Sequence, residues 1–425
     1  MTPVPLDLPL RPNEAAELAI LIFEQAERKP LNDEVRNRLA ARAAVLRLET
    51  VTPYFGSLVR DPVHPSSYYL AVDAGRGEPL LLHLAPATAP TSSIFYKPLL
   101  IGRMRRPNGP EIVINALPFG PSDCENLEKF VSQIGAAFLP RPQGLRPAIA
   151  VSGALPAAFD AFRAILKRSG KNLAATAANP AVPGRDFYYA GLCAAIRAGW
   201  REGYSAGIQL VVGAGHVRPL QETIRNAAGF TRFSTDTSRL FESGSDVEDR
   251  AWILDEFARP FEIGDAVYEF TPAEVLRLAS KFGAALKTNE QLHESIRLAR
   301  SGLKTGRSFD FEPSLEGAAT VTTPQELVFW LHWLKARGHA AQLAAPNLGG
   351  EGMAQRLKEF AAIARHYQCA LSICSGAGHS PEELEAIARA TVGRVNYRLS
   401  PELRLPSNNS DYSRYIVWLA EHLEV

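Results

Sequence analysis

The first stretch of this sequence that could do chemistry is Ser308-Phe309-Asp310-Phe311-Glu312, where small polar and acidic residues alternate with phenylalanine. A β-strand sends alternate side chains to opposite faces, so Ser308, Asp310 and Glu312 share one face and the phenylalanines the other. The phenylalanines are expected to pack under helices. The acids then point into whatever the strand encloses, with Glu312 nearest the mouth. A buried carboxylate must be paired, protonated or metal-bound. Glu312 and Asp310 are therefore candidate catalytic groups, as general base or metal ligand; the structural alternative is an internal salt bridge, for example from Glu312 to Arg398.

Other reactive types fall where further strands end. His216 follows Gly213-Ala214-Gly215 and could shuttle a proton, ligate a divalent metal or cap a helix. Cys374 lies inside an apolar run and is either a small core residue or a ligand. Gly376 and Gly378 would let backbone N–H groups approach an anion, and His379 follows them. Asp236, Asn347, Glu351, Ser375 and Arg398 are candidate substrate-binding residues.

These residues need a scaffold that gathers strand ends. Eight short strand candidates recur: 147–153, 173–179, 209–215, 230–236, 308–312, 341–345, 370–374 and 394–400. Helical patterns follow each, over 156–168, 186–204, 217–228, 272–302, 323–337, 352–367, 381–390 and 410–423. Thr323-Pro324-Gln325-Glu326 and Ser380-Pro381-Glu382-Glu383 are capped helix starts. Strand–helix alternation implies parallel strands with right-handed crossovers. Eight units predict a (β/α)8 TIM barrel, with chemistry at the strand C-terminal ends. An open doubly wound sheet lacks support, since no glycine-rich nucleotide fingerprint follows a strand, and no nucleotide cofactor is expected. No strand carries a lysine near its end, which argues against a Schiff-base aldolase. The stretch 237–271 interrupts the rhythm and could cover a pocket.

The first third is read as a smaller α+β domain. Asn13 and Asn32 are candidate N-caps for helices over 14–28 and up to Leu48. Short β-like runs follow at 58–59, 68–72, 80–84, 93–96 and 111–114, then a helix near 121–137. The segment Leu139–Gly144 is the linker candidate, giving domains 1–144 and 145–425. A formal net charge of +1 gives no reason to expect nucleic acid or an anionic membrane as partner. The one tight basic cluster, Arg103-Met104-Arg105-Arg106, reads as a solvated loop. The four cysteines form no CxxC pair, no apolar run is long enough to span a bilayer, and a cytoplasmic location is the default expectation.

Several segments, in order, resemble the tagaturonate epimerases. Gly199-Trp200-Arg201-Glu202-Gly203-Tyr204 is similar to a helix motif of that family, and Gly215-His216 to its Asp-His strand end. Ala228–Asp236 resembles its strand that ends in Asp. Ser308-Phe309-Asp310, Leu348–Glu351, Leu371–Gly376 and Gly393–Arg398 resemble four further strands and loops. The resemblance implies a metal-dependent barrel epimerase acting on ketohexuronates, with a divalent metal such as Zn or Mn and a small sugar acid as partner. The carbon inverted is one removed from the carbon next to the ketone, so enolisation alone cannot reach it; retro-aldol cleavage and re-addition, or transient oxidation, can. The departures matter as well. Gly215 stands for the family's Asp, Phe311 for its strand-five Glu with Glu312 adjacent, Cys374 for its strand-seven His, and Asn396 and Arg398 for its strand-eight His and Lys. Of the family's three histidines only His216 remains, so the metal set that the resemblance implies is His216, Cys374 and Asn396. Two functions are thus expected: a divergent isomerase or epimerase with Glu312 as base and Arg398 on a carboxylate, or a barrel that binds a sugar acid without turnover.

Overall fold

The computed structural model describes residues 10–27, 29–75, 77–89, 98–105, 109–120, 123–152, 172–177, 184–213, 220–242, 249–303, 306–349, 352–374 and 379–399, with 95, 418 and 422. The chain forms two compact units, Met1–Leu139 with Tyr189–Gly203, and Pro140–Tyr188 with Tyr204–Val425. The first division lies between Leu139 and Pro140, and a second stretch of chain, Tyr189–Gly203, returns to the first unit.

In the first unit, β1 (Val51–Pro53), β3 (Tyr68–Ala74), β4 (Glu78–Pro86), β6 (Ile112–Pro118) and β5 (Leu99–Met104) pair in that spatial order, with β2 (Val59–Arg60) on β3. All of these pairs are antiparallel. Helices α1 (Pro12–Ala26) and α2 (Asp33–Ala43) share one buried core with the sheet through Leu18, Ile22, Phe23 and Leu39. Asn32 caps α2 by accepting from Val35 N at 3.0 Å. Helix α1 starts at Pro12 behind Arg11 instead of at Asn13, because proline is pre-organised for the first helical position. Arg103 and Met104 belong to strand β5 and not to a loop, and Arg103 faces Glu111 at 3.4 Å. That strand carried no clean alternation because exposed and half-buried residues mix along it. Helix α3 (Cys124–Gln133) completes the segment before the boundary.

In the second unit eight strands run parallel: β7 (Ala148–Ser152), β8 (Asn172–Ala177), β9 (Ser205–Val211), β10 (Arg232–Asp236), β13 (Asp310–Ser314), β14 (Leu343–Ala344), β15 (Ala370–Cys374) and β16 (Val395–Arg398). Neighbours in space are neighbours in this series, and β16 pairs with β7. The isolated parallel bridge Ser314↔Ala345 links β13 to the chain just past β14, so the sheet returns on itself as a barrel-like ring. Helices alternate with the strands along the chain: α4 (Gly184–Ala198), most of which belongs to the first unit, then α5 (Leu220–Asn226), α7 (Pro272–Ser301), α8 (Pro324–Ala336), α9 (Met353–His366) and α10 (Pro381–Thr391). Reciprocal capping boxes start α7 at Thr271/Glu274, α8 at Thr323/Glu326 and α10 at Ser380/Glu383. The helices expected over 156–168 and 410–423 lie outside the described residues, except for Trp418 and His422, which are helical.

Two strand positions differ from the sequence reading. The third ends at Val211, and the fifth runs from Asp310 to Ser314. Pro313, which donates no N–H, is accommodated in the ring opposite Thr235. The excursion after β10 contains α6 (Arg250–Glu256) and the hairpin β11 (Phe261–Ile263) to β12 (Ala266–Tyr268). Phe257 stacks on Phe329 of α8 at 4.4 Å, and His332 meets Glu256 at 2.7 Å, so its described part packs against α8. Among the described residues no helix is long and apolar enough to cross a membrane.

Candidate functional site

Parallel register sets the interior of the ring. Arg232 lies opposite Asp310, Ser234 opposite Glu312 and Asp236 opposite Ser314; across the ring Ser372 lies opposite Asn396 and Cys374 opposite Arg398. The apolar alternates, Phe233, Phe311, Ile373 and Tyr397, are buried on the other face, which leaves the polar set to the interior.

Glu312 is fully buried. Its carboxylate accepts from Arg232 Nη2 and from Ser234 Oγ at 3.1 Å, and Arg398 Nη1 lies 3.8 Å away. Arg232 Nη2 also reaches Ser372 Oγ at 3.4 Å, and Asn396 Nδ2 donates to the same hydroxyl at 2.8 Å. One layer higher, Arg398 pairs with Glu316. Burial works against the Arg398 cation, but Glu316 and Glu312 outweigh it and hold the guanidinium above its ordinary value. Burial raises the Glu316 carboxyl above the usual carboxylate range, with Arg398 opposing. Arg232 Nε and Nη1 and Arg398 Nε are buried with no hydrogen-bond acceptor among the described residues.

The expected residues therefore separate. Glu312, Arg398 and Asn396 come together in the interior, though Glu312 is not nearest the mouth: Ser314 and Glu316 continue its face beyond it. Asp310 sits at the opposite end of the strand, where its two oxygens accept from Gln143 N at 2.6 Å and Gly144 N at 3.0 Å, just before β7. Burial raises its carboxyl even against those two donors. Asp236 closes a turn onto Ser238 N at 3.0 Å. Asn347 gives its amide to Ala318 O and Thr320 O and accepts from Gly349 N, so it fastens two neighbouring loops. His379 is bonded to the Tyr397 hydroxyl at 2.8 Å. His216, Glu351 and Ser375 lie outside the described residues. Arg232 and Glu316 were missed in the sequence; carrying the period-two pattern two steps past Glu312 reaches Glu316.

The interior does not fit a divalent cation among the described residues. Cys374 lies level with Arg398, and Asn396 one layer lower beside Ser372, so a guanidinium occupies the level where a cation would sit. A different group does have ligand geometry. One donor atom each from His293, Glu294 and His339 lie within 4.8 Å of one another. Burial and then the His339 charge push the His293 imidazole down to about 4, so it is neutral at neutral pH.

No protein-family model matches the chain, and no curated protein does. Among solved structures it is similar to a fructuronate-tagaturonate epimerase from Cohnella laeviribosi. With the form complexed with one glycerol the TM-score is 0.63 at 19% identity, covering 86% of this chain and 74% of that one. The native form gives 0.63 at 16%, covering 86% and 75%, and the form with two glycerols 0.63 at 19%, covering 86% and 73%. At this identity the likeness establishes a shared α/β fold with a barrel-like region.

Proposed function

We propose that the ring is a (β/α)8 barrel of the TIM type and that the chain is a carbohydrate isomerase or epimerase acting on a sugar acid at the mouth formed by the strand C-terminal ends. One observation carries the reading: two buried guanidiniums, Arg232 and Arg398, hold N–H groups without acceptors beside two carboxylates. Buried donors of this kind call for an anionic or oxygen-rich ligand. The likeness to an epimerase of uronates fits that ligand chemistry.

In this reading Arg398 grips the substrate carboxylate or the developing enediolate. Glu312 holds both arginines in place, since its oxygens already have protein partners. Glu316, with its raised carboxyl, takes the proton from the hydroxyl on the carbon to be inverted. The adjacent carbon–carbon bond then breaks, its electron pair passing into an enediolate while the hydroxyl carbon becomes an aldehyde. Re-addition to the aldehyde's other face re-forms the bond, and Glu316 returns the proton. Asp236, Glu351 and Ser375 are proposed as substrate contacts, and His216 as a proton shuttle.

The test is NMR of a ketohexuronate panel with purified protein. Epimer formation that falls about 100-fold or more in Glu316→Gln supports the reading, since positioned proton transfer contributes about that much. Unchanged turnover in that variant overturns the assignment. The second reading, a sugar-acid-binding barrel without turnover, is favoured by the complete use of Glu312 and Asn347 by protein partners. Thermal stabilisation by a uronate with no epimer formed would select it.

A further inference from the structure

His293 and Glu294 lie on α7, and His339 follows α8. Gly338, at φ 81°, takes the left-handed conformation that ends α8 and turns His339 back toward α7. The His293 ring packs edgewise on Phe311 and tilted on Phe309, the outward phenylalanines of the fifth strand region. The cluster is thus outside the ring, on the other face of β13 from Glu312. Glu294 Oε1 lies 3.3 Å from His339 Nε2 and 3.9 Å from His293 Nδ1. Tetrahedral zinc with bonds of about 2.0–2.1 Å places its ligand atoms about 3.3 Å apart, so these separations need only small rotamer adjustment. Arg297 holds the other carboxylate oxygen, Oε2, through Nε at 2.8 Å and Nη2 at 2.6 Å, which orients Oε1 toward the imidazoles. His293 Nδ1 is buried with no hydrogen-bond partner among the described residues. An unpartnered ring nitrogen aimed at a carboxylate and a second imidazole is a donor set lacking its acceptor.

We propose that His293, Glu294 and His339 form a zinc-class divalent metal site that clamps α7 to the turn after α8, separate from the ring interior. Two imidazole nitrogens and one carboxylate oxygen suit zinc better than magnesium or calcium, and three protein ligands leave one position for water.

The experiment is competition for Zn²⁺ between the full chain and a chromophoric chelator, repeated with Co²⁺ followed by its visible absorption. The proposal expects one tightly bound ion per chain and a rise in melting temperature on adding Zn²⁺. Glu294→Gln, at a half-exposed position, and His339→Gln should each weaken binding at least about 10-fold, the scale set by metal-site mutations. His216→Ala should retain that ion, which distinguishes this site from any cation held in the ring. Wild-type protein that leaves Zn²⁺ with a weak chelator overturns the proposal, as does binding unchanged in both glutamine variants. Binding lost in His216→Ala and kept in His339→Gln also overturns it.

Discussion

Replacing Glu312 with glutamine tests the charged layer most directly. Glu312 is fully buried and Arg232 is 2% exposed, so neither charge can turn to water. At an effective dielectric of about 20, the 3.8 Å approach of Arg398 to Glu312 alone is worth about 4 kcal/mol of attraction. Glutamine keeps the shape and the Ser234 contact but removes the negative charge. Arg398 retains Glu316, whereas Arg232 is left as a buried cation with no anion within pairing distance among the described residues. Breaking a buried pair from one side typically costs about 3–5 kcal/mol, and that loss is expected for the second unit. Removing both charges, as in Arg232→Met with Glu312→Leu, should return stability to within about 2 kcal/mol of wild type, because no uncompensated ion remains. Urea unfolding followed by tryptophan fluorescence reads this out, since the buried Trp330 and Trp333 belong to the second unit. A loss below about 1 kcal/mol for Glu312→Gln would refute the reasoning, because the cost of an isolated buried guanidinium would then be absent.

Other outcomes follow from the same contacts. Arg398→Gln should weaken uronate binding in calorimetry by about 10-fold or more, a lost charge-assisted bond, while folding at neutral pH persists in circular dichroism. Burial pushes His83 down to about 4, and burial with His339 does the same to His293. The unfolded chain takes up these protons near 6.5 and the folded chain does not until about 4, so stability falls as pH drops through that window. For His83 the loss amounts to about 3 kcal/mol, visible as a falling urea midpoint between those pH values and removed by His83→Gln. Gly199→Ala should destabilise the first unit by about 2–4 kcal/mol in the same assay. The position has φ 69°, and a Cβ there would lie 2.5 Å from the Gly56 backbone.

The ring was legible in the sequence because its strands are short apolar runs separated by capped helices. Thr323 with Glu326 and Ser380 with Glu383 announced helices that the structure places to within a residue or so. Edge strand β5 was not legible, since half-buried residues scatter along it. Asp310 and Glu312 were correctly put on one face, but how far along the strand each sits was not legible. That depends on where pairing with β10 begins, and it begins at Asp310. Arg232 escaped notice because an arginine two residues after a Gly-Phe reads as surface. Only a facing Glu312 makes its burial tolerable.

The division of the chain constrains how it folds during synthesis. Residues Tyr189–Gly203 belong to the first unit although two strands of the second precede them. The first unit is therefore incomplete until residue 203 has emerged, and by then β7 and β8 have already been made. Those two strands must wait unpaired on their outer edges while the earlier unit closes, then recruit β9 to resume the ring. Vectorial folding, unit by unit, is not available to this polypeptide. Severing it at the 139/140 boundary would strand fifteen residues of one unit inside the other.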